Sequence, residues 1–82
     1  PHFPIVRLLE GVVISGFEMV KKPDLKLYRI LLERYSLNPE ECIFIDDVQA
    51  NIDSAEAVGI RGILFENAAQ ARRALIEAGV RL

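Results

Sequence analysis

The fold is decided by the stretch ECIFIDDVQANIDSAEAVGI, residues 41–60. Its apolar run at residues 42–45 predicts a buried β-strand. Two adjacent acids, Asp46 and Asp47, end this strand, and a helical pattern follows over residues 48–58 before a glycine closes it. A strand that passes directly into an amphipathic helix is typical of the parallel sheets of α/β proteins.

Two further strands and two further helices surround this unit. The runs at residues 11–15 and 60–65 are short and apolar, which predicts strands. Amphipathic patterns predict helices over residues 25–35 and 68–78. The resulting β-α-β-α-β-α order predicts an α/β fold, a Rossmann-like parallel sheet covered by helices. Such sheets bind ligands beyond the carboxyl ends of their strands, which is where the acid pair is expected.

Cap residues and apolar spacing specify the helix starts and faces. Asp24, Asn38 and Asn67 are typical N-caps, and Pro39 suits the first position of a single helical turn. The apolar spacing predicts one buried face on each of the three helices. These faces consist of Tyr28, Leu31, Leu32 and Tyr35; of Val48, Ile52 and Ala55; and of Ala68, Ala71, Leu75 and Ala78.

Composition and charge exclude several classes of protein. The 82 residues are enough for one small domain, and 51 % of them are apolar. The net charge of −2, from 10 basic and 12 acidic residues, gives no basic footprint for nucleic acid. No apolar run approaches the roughly 20 residues of a membrane span. The single cysteine favours a reducing compartment, so we expect a cytoplasmic protein. The charge and the short apolar runs lead us to expect no nucleic acid or membrane partner.

The adjacent carboxylates Asp46 and Asp47 have two interpretations. A divalent cation such as Mg²⁺ takes oxygen ligands and would remove the repulsion between the two acids. The alternative is that Asp47 caps the following helix while Asp46 is solvated, which the pair taken alone favours. Lys22 adds a third charge, since its loop follows a strand of the same sheet and leads to the same rim. Alone it would be a solvated lysine, but together with a cation it could hold a phosphoryl group.

The segment VVISGFEMVKKPDLKLYRILLERYSLNPEECIFIDDVQANIDSAEAVGI resembles the C-terminal half of the haloacid dehalogenase-like hydrolases, and within them the small phosphatases. Lys22-Pro23 is similar to the third motif of that family. Asp46-Asp47 is similar to the fourth, and SAEAVGI at residues 54–60 to the helix end that follows it. The resemblance covers about residues 5–66, and the two motifs at this spacing are more specific than either alone.

The resemblance implies a role for each matching residue. Lys22 would be catalytic and substrate-binding, holding both the nucleophile and the substrate phosphate. Asp47 would be a Mg²⁺ ligand, and Asp46 would share or support the metal site. Asn51 would be an auxiliary hydrogen-bonding group near the rim, with ordinary helix surface as the alternative. Ser15 would be a structural hydrogen-bonding residue of the loop.

The family nucleophile, an Asp in an Asp-x-Asp motif, has no counterpart, because no Asp occurs before Asp24. We therefore expect residues 1–82 to be the C-terminal fragment of the family core domain, lacking its N-terminal strands and inactive alone. The resemblance places the nucleophile strand between the strands at residues 11–15 and 42–45. Without it, the chain is expected to re-pair its strands, swap strands with a copy of itself, or sit beside the missing half.

The resemblance implies a Mg²⁺-dependent hydrolase that cleaves small phosphate esters through an aspartyl-phosphate. Phosphatase is preferred to dehalogenase as the commoner activity of the family. Two alternatives stay open: a non-catalytic binding or regulatory module of the same fold, and a receiver-like Mg²⁺-binding α/β domain. A receiver would need a lysine after its acids, whereas Lys22 precedes Asp46 and Asp47.

Overall fold

The computed structural model describes residues 5–8, 11–15 and 25–81. The elements in chain order are β1 (Ile5–Leu8), β2 (Gly11–Ser15), α1 (Leu25–Arg34), a 3-10 turn (Pro39–Glu41), β3 (Cys42–Asp46), α2 (Gln49–Ala57), β4 (Arg61–Leu64) and α3 (Ala68–Glu77). The order predicted from the sequence is confirmed from β2 to α3. None of the helices in the described part of the chain is long and apolar enough to cross a membrane.

The four strands form one sheet in the order β1-β2-β3-β4. The strands β2, β3 and β4 are parallel, as predicted, while β1 is antiparallel to β2. The sequence prediction missed β1, because Arg7 interrupts its apolar pattern and leaves no clear alternation over its four residues. Only residues 9 and 10 separate β1 from β2, a spacing typical of a hairpin.

Strand β2 lies directly beside β3, with Val13 opposite Ile43 and Ile14 opposite Phe44. This corrects the arrangement that the family resemblance implies, in which another strand separates these two. Among the three expected outcomes, the pairing of β2 with β3 corresponds to re-pairing, and strand swapping with a second copy stays a prediction. The unsatisfied edge of β3 is filled by β2, since exposed strand edges carry unpaired N–H and C=O groups.

The core has two layers because successive β3 side chains point to opposite faces of the sheet. Phe44 belongs to the layer that packs against α1 and α2, together with Tyr28 and Ile52. Ile43 and Ile45 belong to the layer on the other face, which packs against α3. All five residues of β3 are buried, as expected for an interior strand that is covered on both faces.

The helix caps follow the sequence prediction in two places. The Asn38 side chain accepts a hydrogen bond from the Glu40 N–H (3.1 Å) at the 3-10 turn. The Asn67 side chain accepts one from the Gln70 N–H (2.8 Å) at the start of α3. Asp24 lies outside the described residues.

The predicted buried faces are only partly correct. Tyr28, Leu31, Ile52, Ala55 and Ala71 are buried as expected.

Val48 is 47 % exposed because it is the N-cap of α2, with extended backbone, and therefore does not share the face of the helix. Tyr35 is 36 % exposed because α1 ends at Arg34, and the next residue, Ser36, has a φ of 51°. Ala68 is exposed as the first residue of α3. Each of these errors falls at the end of a helix, where a face pattern ceases to apply. The partly buried Leu32, Leu75 and Ala78 pack at the borders of the two layers.

Candidate active site at the carboxyl end of β3

The two adjacent acids have opposite environments. Asp46 is the last residue of β3 and is only 1 % exposed, whereas Asp47 follows the strand and is exposed. Because the strand ends between them, one carboxylate is directed into the protein and the other is open to solvent. The sequence shows these two acids only as neighbours, whereas the structure shows that the first is buried and the second is exposed.

Both carboxylate oxygens of Asp46 accept hydrogen bonds. Oδ1 accepts from the Val48 N–H (2.9 Å), and Oδ2 accepts from the Asn51 side-chain Nδ2 (2.8 Å). The main-chain oxygen of Asp46 also accepts from the Phe65 N–H (2.8 Å), which ties the end of β3 to the end of β4. The burial of the Asp46 carboxylate is therefore compensated by hydrogen bonds to both of its oxygens.

The alternative in which Asp47 caps α2 and Asp46 is solvated is wrong. The N-cap of α2 is Val48, which makes no side-chain cap bond. Asp46 binds the N–H of Val48, and Asp47 makes no hydrogen bond within the described residues. The exposed carboxylate of Asp47 is thus available to a ligand on the rim.

Asn51 lies in the first turn of α2 and is 5 % exposed, so it is not part of the exposed helix surface, and its auxiliary role at the site stays a prediction. Its Nδ2 donates to Asp46, while its main-chain oxygen accepts from the Tyr28 hydroxyl (3.0 Å). Its Oδ1 is buried and has no hydrogen-bond partner in the described part of the chain. That oxygen is an unused acceptor beside the acid pair, and such buried groups call for an explanation.

Tyr28 connects α1 to this site. The side chain is 1 % exposed, and its ring meets the Phe44 ring edge-on at a centroid distance of 5.2 Å. Burial first, and then the negative charge of Asp46, raises the pKa of the Tyr28 phenol from 10.0 to about 12. The hydroxyl is therefore a neutral donor at physiological pH. The sequence prediction placed Tyr28 in the core without a polar role, although a buried tyrosine hydroxyl usually has a partner.

The remaining candidate residues are Ser15 and Lys22. Ser15 is the last residue of β2 and pairs with Ile45, the residue before Asp46, so the structure brings Ser15 to the same edge of the sheet. Lys22 belongs to the segment 16–24 between β2 and α1, outside the described residues, and its predicted role stays a prediction.

The oxygen donors at the end of β3 meet only part of what a Mg²⁺ site requires. Within residues 5–8, 11–15 and 25–81, no three His, Cys, Asp or Glu side chains cluster as a metal site would. Mg²⁺ is commonly held by one or two carboxylates, with water and substrate phosphate completing its shell. An exposed Asp47 and the unused Oδ1 of Asn51 beside a fixed Asp46 suit a partial site of this kind.

Comparison with known proteins assigns the chain to a family. Residues 1–65 match the haloacid dehalogenase-like hydrolase family, and the chain belongs to it. The resemblance identified from the Lys22-Pro23 and Asp46-Asp47 motifs is thereby confirmed.

Similarity to individual proteins is confined to part of each. The chain is 34 % identical over 68 residues to a drimenol cyclase of Aspergillus calidoustus, which covers 83 % of this chain and 13 % of that protein. It is 38 % identical over 56 residues to a sesquiterpene phosphatase of Aspergillus oryzae, covering 68 % and 29 %. It is 38 % identical over 58 residues to a glyceraldehyde 3-phosphate phosphatase of Pyrococcus furiosus, covering 70 % and 24 %. The chain therefore spans less than a third of the length of each of these relatives.

Proposed function

We propose that this chain supplies the cation-binding part of a Mg²⁺-dependent phosphohydrolase that acts on small phosphate esters. The observation that carries the proposal is the different burial of the two adjacent acids at the end of β3. A buried, doubly bonded Asp46 fixes the strand end, and Asp47 follows it with an exposed carboxylate.

Each residue has a distinct role in this proposal. Asp47 would hold Mg²⁺, and Asp46 would support the site by holding the loop rather than by sharing the cation. Bound Mg²⁺ would neutralise the negative charge of the substrate phosphoryl group. Lys22, as the family resemblance implies, would hold the nucleophile and the substrate phosphate.

The nucleophile of the reaction is not among these residues. An aspartyl-phosphate mechanism requires a carboxylate that attacks phosphorus, and the chain has no Asp before Asp24. The proposal is therefore that residues 1–82 are a C-terminal part of the catalytic core. The 82-residue chain should not turn over a chromogenic phosphate ester with Mg²⁺. Turnover that Lys22→Ala and Asp47→Ala both abolish would show that the chain contains its own nucleophile.

The names of the relatives support a phosphate ester as the substrate class. One is a sesquiterpene phosphatase and another a glyceraldehyde 3-phosphate phosphatase, so the organic parts named differ greatly. The segment they share with this chain includes the acid pair of the fourth motif. Within this proposal, the shared segment serves the phosphate group, and the organic part is selected elsewhere.

A Mg²⁺ titration followed by NMR tests the proposal on the chain itself. Addition of MgCl₂ should shift the amide signals of residues 46–51 in a saturable way. Asp47→Asn should weaken this affinity about tenfold or more, a loss typical for removing a metal-site partner. Asp53→Asn is the matched control, because Asp53 is an exposed acid on α2 that accepts from the Gln49 side chain (2.8 Å). Equal affinities for the two variants would assign Mg²⁺ to general surface charge and overturn the assignment of Asp47.

A further inference from the structure

We infer that Tyr28 is a positioning residue for the acid pair: its hydroxyl holds the first turn of α2 where the Asn51 side chain can bind Asp46. The inference deepens the proposed function, because it concerns the geometry of the same rim. It rests on three consecutive hydrogen bonds that join α1, α2 and the end of β3.

Asn51 is held from both sides. On one side, its main-chain oxygen accepts from the Tyr28 hydroxyl at 3.0 Å. On the other side, its Nδ2 donates to Asp46 Oδ2 at 2.8 Å. A bond to the main chain fixes the position of the Asn51 Cα relative to α1. The side chain of Asn51 is short, so its reach to Asp46 depends on that position.

The Tyr28 hydroxyl has a role separate from that of the ring. The ring supplies the packing, through its edge-on contact with Phe44 and its place in the core layer. A phenylalanine would retain this contact and bury the same apolar surface. A buried hydroxyl is unfavourable unless it is bonded, so its presence here is accounted for by the bond to Asn51.

The second bond of Asp46 strengthens the link. Asp46 Oδ1 accepts from the N–H of Val48, the N-cap of α2. The start of α2 is thus bonded to Asp46 at two points, and Tyr28 braces it from the opposite side. Asp47 lies between Asp46 and Val48 along the chain, so a shift of α2 would move the loop that carries the proposed metal ligand.

The test is the Tyr28→Phe variant, followed by NMR of the Asn51 side-chain amide. With Tyr28 present, the bond to Asp46 should shift this amide signal and slow its hydrogen exchange. In Tyr28→Phe we expect the signal to move and its exchange to become about three- to tenfold faster, the size of one net hydrogen bond. Where the wild-type chain binds Mg²⁺, its affinity should fall by a similar factor.

The matched control is Tyr35→Phe, which removes a hydroxyl from a tyrosine that is 36 % exposed beyond the end of α1. That variant should leave the Asn51 amide unchanged. A purely structural Tyr28 would lower the melting temperature of Tyr28→Phe and leave the Asn51 signal in place, which overturns the inference. Failure of wild-type chain to bind Mg²⁺ refutes the metal assignment alone, since the Asn51 amide is read without metal.

If Tyr28→Phe does not fold, the wild-type chain itself carries the test. A bonded and buried Tyr28 hydroxyl proton should give its own NMR resonance, with a nuclear Overhauser effect to α2 protons near Asn51. The absence of that contact in the folded protein would overturn the inference.

Discussion

At the residue scale, Asp46 and Asp47 show how one position along a chain changes the role of a side chain. The sequence predicted that both acids would stand at the strand end, and this is confirmed. It could not show which of them is buried, because that depends on where β3 stops and on the donors that Val48 and Asn51 present. The donors come from a different element, and a local pattern does not report them.

The two acids should differ sharply when each is neutralised. Asp46→Asn replaces one acceptor oxygen by an NH₂ group that faces a donor, either Val48 N–H or Asn51 Nδ2. We expect a loss of about 1–3 kcal/mol in the free energy of unfolding, the cost of an unsatisfied buried group. Asp47→Asn is exposed and should change it by less than about 0.5 kcal/mol, in the stabilising direction since charge repulsion is relieved. Urea unfolding of both variants measures this, and equal losses would contradict the division of roles.

The raised pKa of Tyr28, about 12 against an ordinary 10.0, predicts a pH dependence of stability. Between pH 10 and pH 12 the folded protein retains the phenol proton that the unfolded chain loses, so the free energy of unfolding falls as the pH rises. Below pH 10 the contribution is fully present. Lysines also titrate in this window, and the comparison must therefore be made between variants.

Tyr28→Phe isolates this contribution. The variant should be less stable than the wild type at pH 8, by about 1 kcal/mol for one lost hydrogen bond. The difference should shrink and then change sign as the pH rises from 10 to 12, because only the wild type has the Tyr28 proton to lose and a rise in its pKa to about 12 outweighs one hydrogen bond. Tyr35→Phe serves as the control. Parallel stability curves for wild type and Tyr28→Phe over this range would show that the Tyr28 pKa is not raised.

At the scale of elements, short apolar runs and cap residues predicted most of the secondary structure. The strands β2, β3 and β4 were identified from their composition, and the caps Asn38 and Asn67 from their position. The errors have local physical causes. Val48 has the apolar side chain of a core residue but the extended backbone of a cap, and Tyr35 lies just beyond the end of α1. The spacing of apolar residues does not show at which residue a helix begins or ends.

The packing of α2 on β4 depends on Gly62. A Cβ at this position would lie 2.5 Å from Ile52 Cγ2 and 3.3 Å from Glu56 Cγ. Ile52 is buried, and its Cγ2 is close to the main chain, so α2 would have to move outward. We expect Gly62→Ala to lower the free energy of unfolding by about 1–3 kcal/mol, the usual cost of overpacking.

The same substitution should disturb the candidate site, because α2 also carries Asn51. The Asn51 side-chain amide signal should shift in Gly62→Ala. Arg61→Ala is the control, as Arg61 is the exposed neighbour in the same strand and should change stability by less than about 0.5 kcal/mol. A Gly62→Ala variant as stable as the control would mean that α2 approaches β4 less closely than the structure shows.

At the scale of the whole molecule, the family resemblance correctly indicated the fold class and misplaced one neighbour. The alternation of strands and helices is a local property, and it gave the parallel sheet. Which strand lies beside which is decided by every strand that is present, because each unpaired edge takes the best available partner. The pairing of β2 with β3 therefore could not be obtained from the similarity of the two strands to their counterparts in the family.

The position of β2 beside β3 can be measured directly. Paired strands lie about 4.8 Å apart, and one intervening strand would double that distance. We therefore expect nuclear Overhauser effects between the main chains of Val13 and Ile43, and of Ile14 and Phe44, as strong as those between β3 and β4. Contacts of β3 with β4 alone, together with a dimeric mass in sedimentation, would instead favour the strand swapping considered from the sequence. If the β2–β3 contacts are found, β2 occupies the place that the resemblance gives to the nucleophile strand. Addition of the nucleophile strand would then require β2 to leave the edge of β3. The strand order of the isolated chain would therefore differ from that of a catalytic core.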